Sequence, residues 1–176
     1  MTIRITRIEG DVMRVNTFVV HGPAGMVVVD GMLTVSDARK VRAALDADGG
    51  RLAGVVITHP HPDHYAGLAH IVGGDDAPIV ATGDVDAVIR RDDAAKDALV
   101  GPMVGHEWPE RRVFPNRLVT DGDALTLGGV AFRVRSLGAG ESSADTMWEL
   151  EDGTVFAGDV AYSGMHAYLA DGHWEA

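Results

Sequence analysis

The stretch Thr58-His59-Pro60-His61-Pro62-Asp63-His64-Tyr65-Ala66-Gly67 places three imidazoles and one carboxylate within six consecutive positions. It follows the apolar run Val55-Val56-Ile57 and precedes a predicted helix, so it reads as a loop at a strand end. Neutral imidazole suits zinc, copper, iron and nickel, and a carboxylate adds a harder oxygen donor. Two histidines two apart in an extended segment turn their rings to the same side, because side chains alternate in a strand. The spacing therefore points to two adjacent metals. His59 and His61 face one of them, Asp63 and His64 the other.

Composition narrows the setting. With 176 residues the chain is one domain or most of one, long enough to bury a sizeable core. A net charge of −11 argues against a nucleic-acid partner, which needs a basic surface. There is no cysteine, so any metal is held by nitrogen and oxygen alone. The N-terminus lacks the basic start and apolar run of a signal peptide, and no stretch approaches the length of a membrane span. These features lead to an expectation of a cytoplasmic protein acting on a small molecule, with its oligomeric state open.

Outward from the histidine loop, strands are expected over residues 2–8, 12–20, 26–29 and 55–57. Ser36 is expected to cap a helix reaching Asp46, and Tyr65 to Val72 reads as a single short helix. Pro78 to Ala81 reads as a strand. Asp84 begins a helical segment through Ile89, which Asp92 to Val100 either continues or follows. Gly101 to Asn116 contains Pro102, Pro109 and Pro115 and reads as a long loop. From Arg117 the pattern returns to period two, with short strands at 118–119, 125–127, 130–134, 147–150 and 154–157. Gly128-Gly129 and Asp152-Gly153 are hairpin turns. Two β-rich stretches with helices between them suggest two sheets face to face.

The His-x-His-x-Asp-His pattern, in its strand-loop-helix context, resembles the metallo-β-lactamase superfamily. The resemblance implies an α+β fold, a four-layer αββα sandwich, over a single domain at 1–176. Members of that family continue with a helix, a strand and a last metal-binding histidine. Asp171 to Ala176 reads as the first turn of such a helix, so a C-terminally truncated domain is expected.

The resemblance also implies roles. Asp30, in Val-Val-Val-Asp-Gly, would hold the metal loop by hydrogen bonds, although it reads equally as a strand-end turn former. Where the family has a Gly-His-Ser/Thr ligand turn, this chain has Gly140-Glu141-Ser142. Either Glu141 is the ligand, completing His59, His61 and Glu141, or it faces away and the first metal is weak or missing. Two histidines and a glutamate form a known catalytic zinc set. The anionic donor would also harden the site toward manganese or iron. Asp159, in the motif Gly158-Asp159, would bridge two zinc ions. Asp63, His64 and Asp159 would hold the second. His166 and His173 read as substrate contacts, and His106 with Trp108 as lining of the pocket.

The implied activity is hydrolysis of an ester, thioester, lactone, amide or phosphodiester by a metal-bound water or hydroxide. Asp63 would pass a proton to the leaving group. The alternatives are a mononuclear non-haem iron oxygenase of the same fold and a catalytically degenerate metal-binding domain.

Overall fold

The computed structural model describes residues 3–164, 166, 168 and 171–173. Six strands form the first sheet: β1 (Arg4–Glu9), β2 (Asn16–Gly22), β3 (Gly25–Val29), β4 (Leu52–Val56), β5 (Ile79–Thr82) and β6 (Arg117–Val119). They lie in sequence order across the sheet. The first three are antiparallel, and β3 to β6 are parallel. Parallel neighbours need crossover connections, and helices supply each one. These are α1 (Val35–Ala47), then α2 (Pro62–Tyr65) with α3 (Leu68–Val72), then α4 (Gly83–Val104).

The second sheet is an antiparallel meander of β7 (Ala124–Leu127), β8 (Val130–Gly138), β9 (Asp145–Leu150) and β10 (Val155–Phe156). Gly128 and Gly129 join β7 to β8 with φ of 58° and 81°, the backbone a tight hairpin demands and glycine adopts freely.

The core has two parts. Val28, Val55, Ile57 and Ile79 meet Val41, Leu45, Leu68, Ile71 and Ile89 on the helical face of the first sheet. On its other face Val27, Val29, Val56 and Val80 meet Leu127, Phe132, Val134 and Trp148 of the second sheet. Strands buried on both faces read as continuous apolar runs, which is why 26–29 and 55–57 were visible without alternation. The outer face of β8 carries exposed Arg133 and Arg135. Among the described residues no helix covers that face, so they form three of the four layers of the αββα sandwich. The helical turn expected at 171–176 lies partly outside the described residues, and Asp171 and Gly172 form a turn.

Several boundaries differ from expectation. Thr34, not Ser36, caps α1, accepting the Asp37 N–H at 3.3 Å. The strand expected from Val12 starts at Asn16, because the Asp37 carboxylate accepts the N–H groups of Asp11 (2.7 Å) and Val12 (3.2 Å) and curls that segment into a loop. The single helix expected over 65–72 is broken where Gly67 donates its N–H to Met32 O at 2.7 Å. The largest departure is α4, one continuous helix of 22 residues with Pro102 inside its last turn. Val100 and Val104 pack on buried Trp108, Leu33 and Ala66, and this contact outweighs the backbone hydrogen bond lost at the proline. The loop that follows is tied back by Arg112 to Asp93 (2.7 Å) and by Trp108 Nε1 to Asp97 (2.5 Å).

Phe132 is fully buried between the sheets. Phe132→Ala is expected to destabilise the chain by about 3–5 kcal/mol, read from the urea midpoint. A loss under about 1 kcal/mol would show that the two sheets do not pack through this ring.

Candidate metal centre

The histidine loop leaves β4 at the end of the sandwich where both sheets finish. Its backbone is gripped from the second sheet. Thr146 donates through its N–H (2.9 Å) and its hydroxyl (2.7 Å) to Thr58 O. Trp148 Nε1 donates to Ile57 O at 3.0 Å. From the first sheet, Asp30 accepts the Thr58 N–H at 2.7 Å and the Thr58 hydroxyl at 2.8 Å. The oxygen that accepts the Thr58 hydroxyl, Asp30 Oδ2, also lies 3.0 Å from His64 Nδ1. Asp30 has a φ of 62°, costly for a residue with a Cβ and tolerated best by Asp and Asn. It is therefore both the strand-end turn and the residue that holds the loop.

These contacts dictate ring orientation. Thr58 uses its hydroxyl hydrogen on Asp30, so it accepts from His59 Nδ1, 3.0 Å away. His59 Nε2 is left as a bare acceptor facing inward. That atom lies 3.3 Å from Glu141 Oε2, and His61 Nδ1 lies 3.1 Å from the same oxygen. A tetrahedral zinc with bonds of about 2.0–2.1 Å separates its donors by about 3.3 Å, so both distances to Glu141 Oε2 suit donors on one such ion. His64 Nε2 lies 3.5 Å from Asp63 Oδ2 and 3.6 Å from Asp159 Oδ1. One atom each from His59, His61 and Glu141, and one each from His59, His64 and Asp159, fall within 4.8 Å of one another. The second trio differs from the expected one: His59 stands with His64 and Asp159, and Asp63 reaches the group through His64.

His59 Nε2, His64 Nε2 and Glu141 Oε2 are buried without a hydrogen-bond partner. Leaving such atoms unsatisfied costs about 1–3 kcal/mol each. A cation held by these donors removes that cost, so the residues fit a divalent metal. Asp159 reaches the group because Gly158, at φ 56°, carries no Cβ. One built there would lie 2.6 Å from Thr58 Oγ1.

Electrostatics follows from crowding. Burial, then the neighbouring His64 and His61, hold the His59 imidazole well below its ordinary pKa. Burial also works against a charged His64, but Asp30 and Asp63 overcome it and raise that ring well above. His61 is raised too, burial being outweighed by Glu141 and Asp171. Burial pushes the Glu141 carboxyl up, with His61 opposing. For Asp63, burial is outweighed by His64, and its pKa falls. At both rings a cation would compete with a proton that the neighbouring carboxylates favour.

Other expectations fare differently. His106 is almost fully exposed and Trp108 is buried among apolar side chains, so neither lines the site. His166 is exposed, and His173 Nε2 lies 3.3 Å from Ser143 Oγ, beside the Glu141 turn. Two contacts escaped the sequence. Thr58 orients His59, and Asp171 Oδ2 accepts from His61 Nε2 at 2.9 Å. Adjacency to the histidines was the available signal for Thr58. No local pattern marks Asp171, which is 110 positions from its partner.

The model of the metallo-β-lactamase superfamily matches residues 10–175. The chain belongs to that superfamily. It is 29% identical over 167 residues to an acyl-coenzyme A thioesterase, MBLAC2, of Gallus gallus, covering 86% of this chain and 59% of that protein. It is 28% identical over 152 residues to a hydroxyacylglutathione hydrolase of Methylobacillus flagellatus, covering 86% of this chain and 48% of that one. The chain thus spans about half the length of these curated relatives. The solved structure of the B3 metallo-β-lactamase BLEG-1 superposes with a TM-score of 0.77 at 16% identity, over 97% of this chain and 79% of the other. At that identity the likeness establishes the fold, an αβ sandwich, and no more.

Asp30→Asn in this superfamily member keeps the turn but loses the charge facing Thr58 and His64. It is expected to lower stability by about 1.5–3 kcal/mol in chemical denaturation. Unchanged stability would show that the carboxylate does not organise the loop.

Proposed function

We propose that this chain carries the metal centre of a hydrolase acting on a small acyl thioester or ester. The observation that supports it most is that His59 Nε2 and His61 Nδ1 lie 3.3 and 3.1 Å from Glu141 Oε2, with His59 Nε2 and Glu141 Oε2 buried without a hydrogen-bond partner. His59, His61 and Glu141 would hold one zinc ion. His64 and Asp159 would hold a second, with Asp63, 3.5 Å from the same ring nitrogen of His64, as its further donor. A bound cation would supply Lewis acidity toward a carbonyl oxygen and an acidified water.

The remaining work falls to the chain. Asp30 and Thr58 keep the ring nitrogens aimed inward. Asp63, partly buried and held ionised beside His64, takes a proton from the attacking water and passes it to the leaving group. Ser142 is no nucleophile, because its hydroxyl is buried and donates to Asp145 at 2.6 Å. The thioester choice leans on the two relatives' names. The net charge of −11 favours a small molecule over nucleic acid. No helix among the described residues is long and apolar enough to cross a membrane.

The second reading is an iron oxygenase, favoured by the set of two histidines and one carboxylate around the first position. Elemental analysis separates the two: zinc with thiol release from acyl thioesters supports the hydrolase. Iron with oxygen uptake supports the oxygenase. Metal without either activity marks a degenerate relative.

Glu141→Ala is expected to lose close to one metal equivalent after dialysis, and Glu141→His to retain it. Equal metal content in wild type and Glu141→Ala would remove Glu141 from the donor set. Thiol release should vanish after chelation and return with zinc. Asp63→Asn is expected to lower kcat by about 100-fold, the scale of general acid–base catalysis. A smaller effect would place the proton donor elsewhere.

A further inference from the structure

Asp30 and Thr58 orient His59 and His64 from beneath, but neither touches His61. That ring needs a different support. With Nδ1 given to a cation shared with Glu141, the ring's one hydrogen sits on Nε2, and a mostly buried ring N–H requires an acceptor. Asp171 Oδ2 provides it at 2.9 Å. Asp171 Oδ1 in turn accepts from the Tyr168 hydroxyl at 3.4 Å, and the Tyr168 ring stands edge-on to His61, centroids 5.4 Å apart. Close by, His173 meets Ser143 at 3.3 Å. Tyr168, Asp171 and His173 therefore reach both the histidine loop and the turn that carries Glu141.

We propose that Asp171 is the positioning residue for His61, locking its ring so that Nδ1 is offered to the cation. The inference rests on the reading of His61 as a ligand. Asp171 is not itself a ligand of that cation, since it engages the far nitrogen of the ring. Its charge fixes the tautomer and makes Nδ1 a better donor. Loss of such a backing group typically weakens metal binding about 10–100-fold. The Asp171 side chain is 25% exposed, so solvent weakens the contact and the lower end of that range applies.

The test compares the full chain with Asp171→Ala, Asp171→Asn and Tyr168→Phe. Zinc affinity is measured against a chromophoric chelator, coordination geometry from the visible bands of the cobalt(II) form, and folding from melting of the metal-free protein. Asp171→Ala should bind zinc about 10-fold more weakly and alter the cobalt bands while the metal-free melt stays in place. Asp171→Asn keeps an acceptor oxygen without the charge and should recover part of the affinity. Tyr168→Phe keeps the ring and should lose less than Asp171→Ala. Wild-type affinity and cobalt bands in Asp171→Ala would overturn the inference. So would a fall in the metal-free melt matching the fall in affinity without rescue by Asp171→Asn, since Asp171 would then support the fold only. Wild-type protein that takes up neither zinc nor cobalt would instead overturn the reading of the centre, and this inference with it.

Discussion

One carboxylate, that of Asp30, holds the site end of the molecule together. It terminates β3, accepts two hydrogen bonds from Thr58 and lies against His64. Each contact ties a separate part of the histidine loop to the rigid central sheet. The left-handed backbone at Asp30 is the strain that this arrangement tolerates. An apolar residue there would leave the Thr58 N–H and hydroxyl, in a residue wholly shielded from the surface, without these acceptors.

The second sheet acts on the same loop from the opposite side. β9 places Thr146 and Trp148 against the carbonyls of Thr58 and Ile57. Those carbonyls lie beyond the last ladder bond of β4, where a backbone acceptor would otherwise be unpaired. The contact that completes the core thus also sets the distance between the histidines and the turn bearing Glu141. Packing and site geometry are one constraint, because Thr146 and Trp148, which join the sheets, sit five and seven positions after Glu141.

Charge distinguishes this centre from one built with a third histidine. Three carboxylates, Asp63, Glu141 and Asp159, surround the three imidazoles. With two divalent cations they would neutralise most of the metal charge, leaving a less acidic, harder site. The carboxylates also raise the pKa of His61 and His64, whereas burial and the two neighbouring imidazoles lower that of His59.

The chain's own order of residues was enough to place His59, His61, Asp63 and His64 in one loop after a buried strand. Their spacing is local, and the apolar run before them is unbroken. The hairpins at Gly128-Gly129 and Asp152-Gly153 were legible for the same reason. Helix limits were less so. α4 runs through Pro102 because Trp108 packs on its last turn, and Thr34 outranks Ser36 as a cap because its hydroxyl reaches the Asp37 N–H. Glu141 and Asp159 were named from motif order, but their meeting with the loop needs the second sheet docked on the first. Asp171 was invisible, since a carboxylate in a turn has no pattern of its own. Only the folded chain, which brings it across 110 positions to His61, makes it part of the site. Short-range spacing sets which atoms can share a loop. Burial and the demand that buried polar atoms find partners decide which distant ones join them.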